Sequence, residues 1–348
     1  MTDTKTHTGI SFPFDTPPEP GKALEITEGV LWIRMPMPFV LDHINIFAIA
    51  DGEGWAIVDT GLETRTSAGM WRDLLAGPLQ GRPVTRVIAT HMHPDHIGMA
   101  GWLTRRFNCR LWMTRLEYLN CRMLVGDTLR QAPDDAINFC IAAGWDEDAI
   151  DDYRTIFGGY GKFVHPLPDS FKRIREGETL LIGEHEWKIV VGSGHSPEHA
   201  CFYCPDLKLF ISGDQVIPGI SSNISVYPSE PDANPMRGWL TSLAHVRDSV
   251  PDDVLVLPSH KTCFYGLHAR VNALLEEHHT DFGKLLESLR EPKRAIDVFD
   301  SLFSRQILGT DLLNMATGES VANLNYLESL GQISHTIDAD GVAWFQQV

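Results

Sequence analysis

Long apolar runs are missing from this chain. None of its hydrophobic stretches approaches the roughly 20 residues that span a bilayer. The first 22 residues are polar and proline-rich, with no continuous apolar segment of the kind that directs secretion. No membrane association is therefore expected, and a cytoplasmic location is. Cysteine is scarce too: six in 348 residues, with no spacing that suggests a disulfide framework. Cys201 and Cys204 form a CxxC, but three positions apart on a strand they point to opposite faces and would not easily share an ion. Positive charge is the third shortage. Lys and Arg number 29 against 46 Asp and Glu, a net charge of -17. Such a surface repels polyanions, so nucleic acid is a disfavoured partner and a small-molecule substrate a favoured one. No repeat at a solenoid period is visible.

Histidine, by contrast, is plentiful and clustered. Of 15 in the chain, His91, His93 and His96 fall with Asp95 inside HMHPDH. The preceding run VTRVIAT has the β-branched content of a buried strand. The following run IGMAGWLTRRF has helical spacing at Ile97, Ala100, Leu103 and Phe107. The cluster thus sits on a turn between strand and helix, stiffened by Pro94. Imidazoles and a carboxylate so close together can converge on metal without large rearrangement.

From residue 23 the chain alternates strand-like segments, ALEIT, GVLWIRM, INIFAIA and GWAIVDT, with Gly, Pro and Asp turns. The last ends on Asp59. A helix over TSAGMWRDLLAG and the short strand CRLWM flank the path into and out of the histidine cluster. Residues 114–168 are helix-prone but irregular and are read as a helical insertion beside the site. Within it, Trp145, Tyr153, Tyr160 and Phe163 serve either as a pocket wall or, more simply, as core. Strand signals resume in ETLLIG, EWKIVVG, ACFYC and LKLFIS. EWKIVVGSGHSPEH puts His195 in the turn after a strand, LKLFISGD ends on Asp214, and VLVLPSH delivers His260. From residue 266 the texture turns helical and closes on a hairpin-like end, together a winged-helix-like module. The predicted organisation is an arm (1–22), a catalytic domain (23–265) carrying the insertion (114–168), and a tail domain (266–348).

Collected at strand ends, then, are His91, His93, Asp95, His96, His195, Asp214 and His260, with Asp59 behind them. Seven nitrogen and oxygen donors exceed what one tetrahedral ion needs, yet suit two ions sharing a carboxylate. Asp214 is the natural bridge. No cysteine accompanies the set, which argues against a closed structural zinc site.

HMHPDH resembles the HxHxDH signature of the metallo-β-lactamase fold superfamily, and Asp59 in DTG, His195 in GHSPEH, Asp214 in SGD and His260 in PSH resemble its remaining motifs. The resemblance covers roughly residues 23 to 265. It implies an α/β (α+β) fold, an αββα sandwich with two metals at one edge of its sheets. It further implies that His91, His93 and His195 hold one ion, that Asp95, His96 and His260 hold the second, and that Asp214 bridges them. Asp59 would organise the site from behind. The tail resembles the winged-helix-like extension of one branch. Relatives commonly carry GHTPGH where this chain has Ser196 and Glu198, a change that removes no ligand but alters the loop beside the first ion. His199 is expected to be a buried, hydrogen-bonded residue and not a ligand.

The activity so implied is hydrolysis by a metal-bridging hydroxide, with the ions stabilising the developing oxyanion and Asp95 shuttling a proton. Zn2+ suits these donors best, and Fe or Mn tolerates the same set. The bond expected is of carboxylic type: a thioester, ester or lactone of a small or acyl-chain substrate. A phosphodiesterase or ribonuclease is the alternative, opposed by the lack of basic residues near the ligand loops beyond Lys261 and the pair Arg105-Arg106. Flavodiiron-type redox chemistry usually has a glutamate where His93 stands. A metal-stabilised scaffold is the non-enzymatic alternative, opposed by an open ligand set. Expected substrate contacts are His43, Asn223 and Tyr227. The tail segment GESVANLNYLESL lacks the basic residues of a DNA-binding helix, and the tail is expected to pack on the catalytic domain or mediate a homodimer.

Overall fold

Alternation along the strands decides the architecture. In β2 (Val30–Pro36) the residues Leu31, Ile33 and Met35 face one hydrophobic core, while Val30 and Trp32 face another. In β3 (His43–Asp51), Ile44, Ile46 and Ala48 join the first core, and Phe47 and Ile49 the second. A sheet apolar on both faces must be covered on both, so it lies between other layers. The computed structural model describes residues 9–348; the first part of the predicted arm lies outside the described residues.

The described chain forms two compact units. The first runs through Thr128 and adds Gly159–Ser222 and Leu243–Val271. With elements numbered along the chain, its larger sheet has seven strands in sequence order. These are β1 (Ala23–Thr27), β2, β3, β4 (Gly54–Val58), β5 (Val84–Ile88), β6 (Arg110–Met113) and β7 (Lys172–Arg173). Strands β1 to β4 pair antiparallel and β4 to β7 parallel. Parallel neighbours need crossovers, which α1 (Arg65–Ala76), α2 (Pro94–Ile97), α3 (Ala100–Phe107) and α4 (Arg115–Gly126) help supply. Thr64 caps α1 by accepting from Ser67 N–H at 3.0 Å. Asn108, left-handed at φ 50, ends α3. Strand β7 is only two residues long, too short to leave a periodic signal in the sequence.

The second sheet has five strands in the order β12–β11–β10–β9–β8. They are β8 (Thr179–Ile182), β9 (His185–Gly192), β10 (His199–Cys204), β11 (Leu209–Gly213) and β12 (Leu255–Pro258). Ala200, Phe202 and Cys204 of β10 and Trp187 and Ile189 of β9 pack with Trp32, Phe47 and Ile49 between the sheets. Burying one such aromatic contributes about 1.5–3 kcal/mol. Cys201 turns away from that core, its Sγ 3.6 Å from His199 Nδ1, so the CxxC does not form a pair. All six cysteines are free thiols.

The second unit comprises Leu129–Gly158, Asn223–Ser242 and Asn272–Val348. It contains α5 (Asp134–Ala143), α6 (Glu147–Ile156), α9 (Phe299–Leu302), α10 (Thr310–Ser329) and a hairpin of β13 (Ile333–Ile337) with β14 (Ala343–Gln347). Helices α7 (Pro235–Ser249) and α8 (Leu267–Ser288) are each divided between the two units. The 114–168 stretch therefore does not act as one insertion. Its α4 and the 3-10 turn Tyr160–Phe163 stay with the sheets, whereas residues 129–158 join the tail. The reason is side-chain burial: the Trp145 indole donates to Thr317 Oγ1 at 2.9 Å, and Arg294 donates to the Gly144 carbonyl at 3.3 Å. Gly318 lets α10 touch the 223–226 segment, since a Cβ there would lie 2.8 Å from the Val226 carbonyl oxygen. Among the described residues no helix is long and apolar enough to cross a membrane.

Candidate metal centre

The polar residues marked out in the sequence lie just past the C-terminal ends of β4, β5, β9, β11 and β12. Three groups of donor atoms result, each mutually within 4.8 Å: His91, His93 and His195; His91, His96 and Asp214; and Asp95, His96 and His260. All seven predicted ligands are thus brought together. Asp214 lies between the sets, with Oδ2 3.4 Å from His195 Nε2 and Oδ1 3.5 Å from His260 Nε2. Asp95 Oδ2 is 3.4 Å from His260 Nε2 and 3.5 Å from His96 Nε2.

The local backbone explains the placement. HMHPDH does not run straight into a long helix. His93 precedes the four-residue α2, whose first position is Pro94, and Gly98 separates it from α3. The loop after β4 cradles this turn: Thr60 N–H and Oγ1–H both donate to the His96 carbonyl at 2.8 Å, and Met99 N–H donates to the Gly61 carbonyl at 3.0 Å.

Asp59 is at the back of the site, 2% exposed and left-handed at φ 62. Its Oδ1 accepts from Thr90 N–H at 2.8 Å, and its Oδ2 accepts from His96 Nδ1–H at 2.8 Å. The Thr90 hydroxyl, 2.9 Å from Asp59 Oδ2, donates there and accepts from His91 Nδ1–H at 3.0 Å. His260 Nδ1–H donates to the His43 carbonyl at 2.8 Å. Each of these three imidazoles has its Nδ1 proton committed, which leaves its Nε2 lone pair for the centre. His199 holds the backbone of Asp214 instead of joining the donors, its Nε2 accepting from Asp214 N–H at 3.0 Å. Gly213 makes this approach possible, since a Cβ there would lie 2.3 Å from the His199 ring.

Electrostatics divide the donors. Burial and the neighbouring imidazoles push His91 well below its ordinary pKa, and burial with His195 beside it takes His93 down to about 3. Burial works against the charged forms of the others, but their partners outweigh it. The imidazoles hold Asp95 down to about 2 and Asp214 well below the usual carboxylate range, while the carboxylates raise His96 strongly and His260 to about 10. Two buried atoms, His96 Nε2 and Asp214 Oδ1, have no hydrogen-bond partner. Buried polar atoms are seldom left so. An imidazole nitrogen and a carboxylate oxygen of one buried donor group are what a divalent cation takes, so the residues fit a metal.

The other predicted residues have different surroundings. The His43 ring is buried, with Asp42 Oδ1 at 2.5 Å and the Lys261 backbone N–H at 3.1 Å, so it supports the turn carrying His260. Asn223 and Tyr227 belong to the second unit, where Asn223 donates to Glu319 Oε2 at 2.7 Å and Tyr227 is 45% exposed. Of the aromatics in the 114–168 stretch, Tyr160 donates to the Met92 carbonyl. Trp145 and Tyr153 are buried in the second unit, with rings 5.7 Å apart. Thr90 and Glu117 were not marked out in the sequence. A threonine before the first histidine and a lone glutamate on a helix carry no motif.

A sandwich of two sheets with buried histidines and aspartates gathered at its strand ends has the make-up of a metal-dependent hydrolase. The sequence profile of the Metallo-beta-lactamase superfamily matches residues 40–294, and that of the Metallo-beta-lactamase-like C-terminal domain matches 282–348. The chain belongs to the metallo-beta-lactamase superfamily. A beta-lactamase domain protein from Burkholderia ambifaria is similar along almost its whole length: TM-score 0.90, 35% identity, covering 98% of this chain and 99% of that one. Acyl-coenzyme A thioesterase MBLAC2 of Homo sapiens is 24% identical over 198 residues, 55% of this chain and 65% of that protein. An atrochrysone carboxyl ACP thioesterase of Aspergillus fumigatus is 21% identical over 257 residues, 73% of this chain and 46% of that protein.

Proposed function

We propose that this hydrolase holds two divalent ions, most favourably Zn2+, and cleaves the thioester of an acyl chain. The observation that carries the two-ion reading is Asp214, whose two oxygens face His195 on one side and His260 on the other. His91, His93 and His195 would hold one ion, Asp95, His96 and His260 the other, and Asp214 both. Bound there, divalent ions supply acidity to water and polarise an acyl carbonyl. The thioester is supported by the two thioesterase relatives.

The chain's own residues do the rest. Thr90, Asp59 and the His43 carbonyl fix three imidazoles as Nε2 donors. Asp95, its side chain 20% exposed, is the most open carboxylate of the set and would carry a proton to the departing sulfur. Water adds across the C–S bond, the acyl carbon leaves as the acid, and the thiolate takes the proton.

Zinc-loaded protein is to be given acyl-CoA, acyl-pantetheine, a lactone, a β-lactam and bis-p-nitrophenyl phosphate, with thiol release followed by a chromogenic reagent. Thioester cleavage is expected, falling to background on chelation and in Asp214→Ala. Cleavage of the phosphodiester with every thioester untouched would overturn the reading.

A further inference from the structure

Met92 lies between two ligands, His91 and His93, and donates nothing to the centre itself. Both of its peptide groups are nevertheless held by side chains. Its N–H donates to Glu117 Oε2 at 2.9 Å, and its carbonyl accepts from the Tyr160 hydroxyl. The other oxygen of the same carboxylate, Glu117 Oε1, accepts from Glu198 N–H at 2.8 Å. Glu198 is in the loop of His195, three residues beyond it. It returns the contact: its Oε2 accepts from Leu116 N–H at 2.8 Å, and its carbonyl from the Thr114 hydroxyl at 2.7 Å. Glu117 is wholly buried on α4. Cys121, one turn on and on the same helix face, has its Sγ 3.2 Å from the Tyr160 hydroxyl.

We propose that Glu117 is the positioning residue of the His91–His93–His195 set, one buried carboxylate tying the two loops that carry those imidazoles. This rests on the reading that the three imidazoles hold an ion. The geometry makes the carboxylate specific. Both oxygens accept from backbone N–H groups, and bonds from N–H to a carboxylate are about twice as strong as neutral ones. An amide of the same shape can serve only one of the two loops, because its NH2 would confront an N–H. Asp95, His96 and His260 receive no bond from Glu117. Its effect therefore falls on one ion and spares the other.

The test is a cobalt(II) titration of chelator-treated full-length protein, with a competing chelator and the ligand-field absorption as readouts. His195→Ala and His260→Ala assign the signal of each ion. In Glu117→Gln the first ion should weaken by about 10–100-fold, the usual effect of removing an outer hydrogen-bond partner of metal ligands. Its absorption band should shift, while the second ion keeps its wild-type affinity. Glu198→Ala should weaken the same ion, and Glu198→Gln, which keeps an oxygen for Leu116 N–H, should restore it. Wild-type affinity and spectrum for both ions in Glu117→Gln overturn the proposal. Should that variant fail to fold, Glu198→Ala and Tyr160→Phe decide it, and an unweakened first ion in both overturns it equally. Failure of wild-type protein to take up cobalt, or uptake indifferent to His195→Ala, would instead sink the underlying two-ion reading.

Discussion

Asp59 occupies a backbone conformation that side chains seldom adopt, at φ 62. Such a residue costs on the order of 1–3 kcal/mol and persists where its surroundings fix it. Here the fixing is chemical: its carboxylate takes both Thr90 N–H and His96 Nδ1–H. The same scale governs the response to pH. His260, raised to about 10 by Asp214 and Asp95, and His96, raised by the same carboxylates, each keep a proton at neutral pH when no ion competes. For His260 the sign follows directly. Its ion pairs stabilise the chelated fold fully below the ordinary value of 6.5, and that contribution is lost as pH rises through about 10. An ion needs the lone pairs, so uptake near pH 7 should release about two protons per chain, and affinity should rise with pH. Calorimetric zinc titrations in two buffers of different ionisation enthalpy measure this, and a buffer-independent heat would disprove it. The seven residues that the structure brings together were legible in the sequence because each motif is local. Thr90 and Glu117 were not, since their roles depend on partners brought near only by folding.

At the scale of elements, the strand segments were read with little error, because a strand buried on both faces is apolar throughout and bounded by turn residues. The helix after HMHPDH was not read as it folds: it is interrupted at Gly98 and Met99, and α2 is a single turn that ends at Gly98. That glycine is required by space. A Cβ would lie 2.5 Å from the Gly61 carbonyl oxygen and 2.6 Å from Glu63 N, the loop that also carries Asp59. Gly98→Ala should therefore destabilise the protein by about 1–3 kcal/mol through overpacking. Gly69, in α1 with nothing within 4 Å of its absent Cβ, offers the contrast. Gly69→Ala should gain roughly 0.5–1 kcal/mol from helix propensity. Denaturant unfolding compares them, and equal effects of the two substitutions would refute the spatial argument.

Across the whole molecule, ligands from both sheets must meet, so an ion that binds only the folded chain stabilises it by mass action. At zinc about 1,000-fold above its dissociation constant this contributes about 4 kcal/mol. Thermal unfolding should move upward with zinc and downward with chelator, and a midpoint indifferent to both would show that the donors hold no ion. The sequence by itself determined the donor chemistry, the strand pattern and the superfamily, because each is written in residue types at short spacing. Only the tertiary structure decided the rest. It put Glu198 N–H on Glu117, 81 positions away, and joined Trp145 to Thr317 across 172, taking residues 129–158 into the second unit. Periodicity reports the neighbours of a residue within one element. A hydrogen bond between distant loops leaves no such trace, because its two ends are brought together only by the packing of the sheets and helices between them.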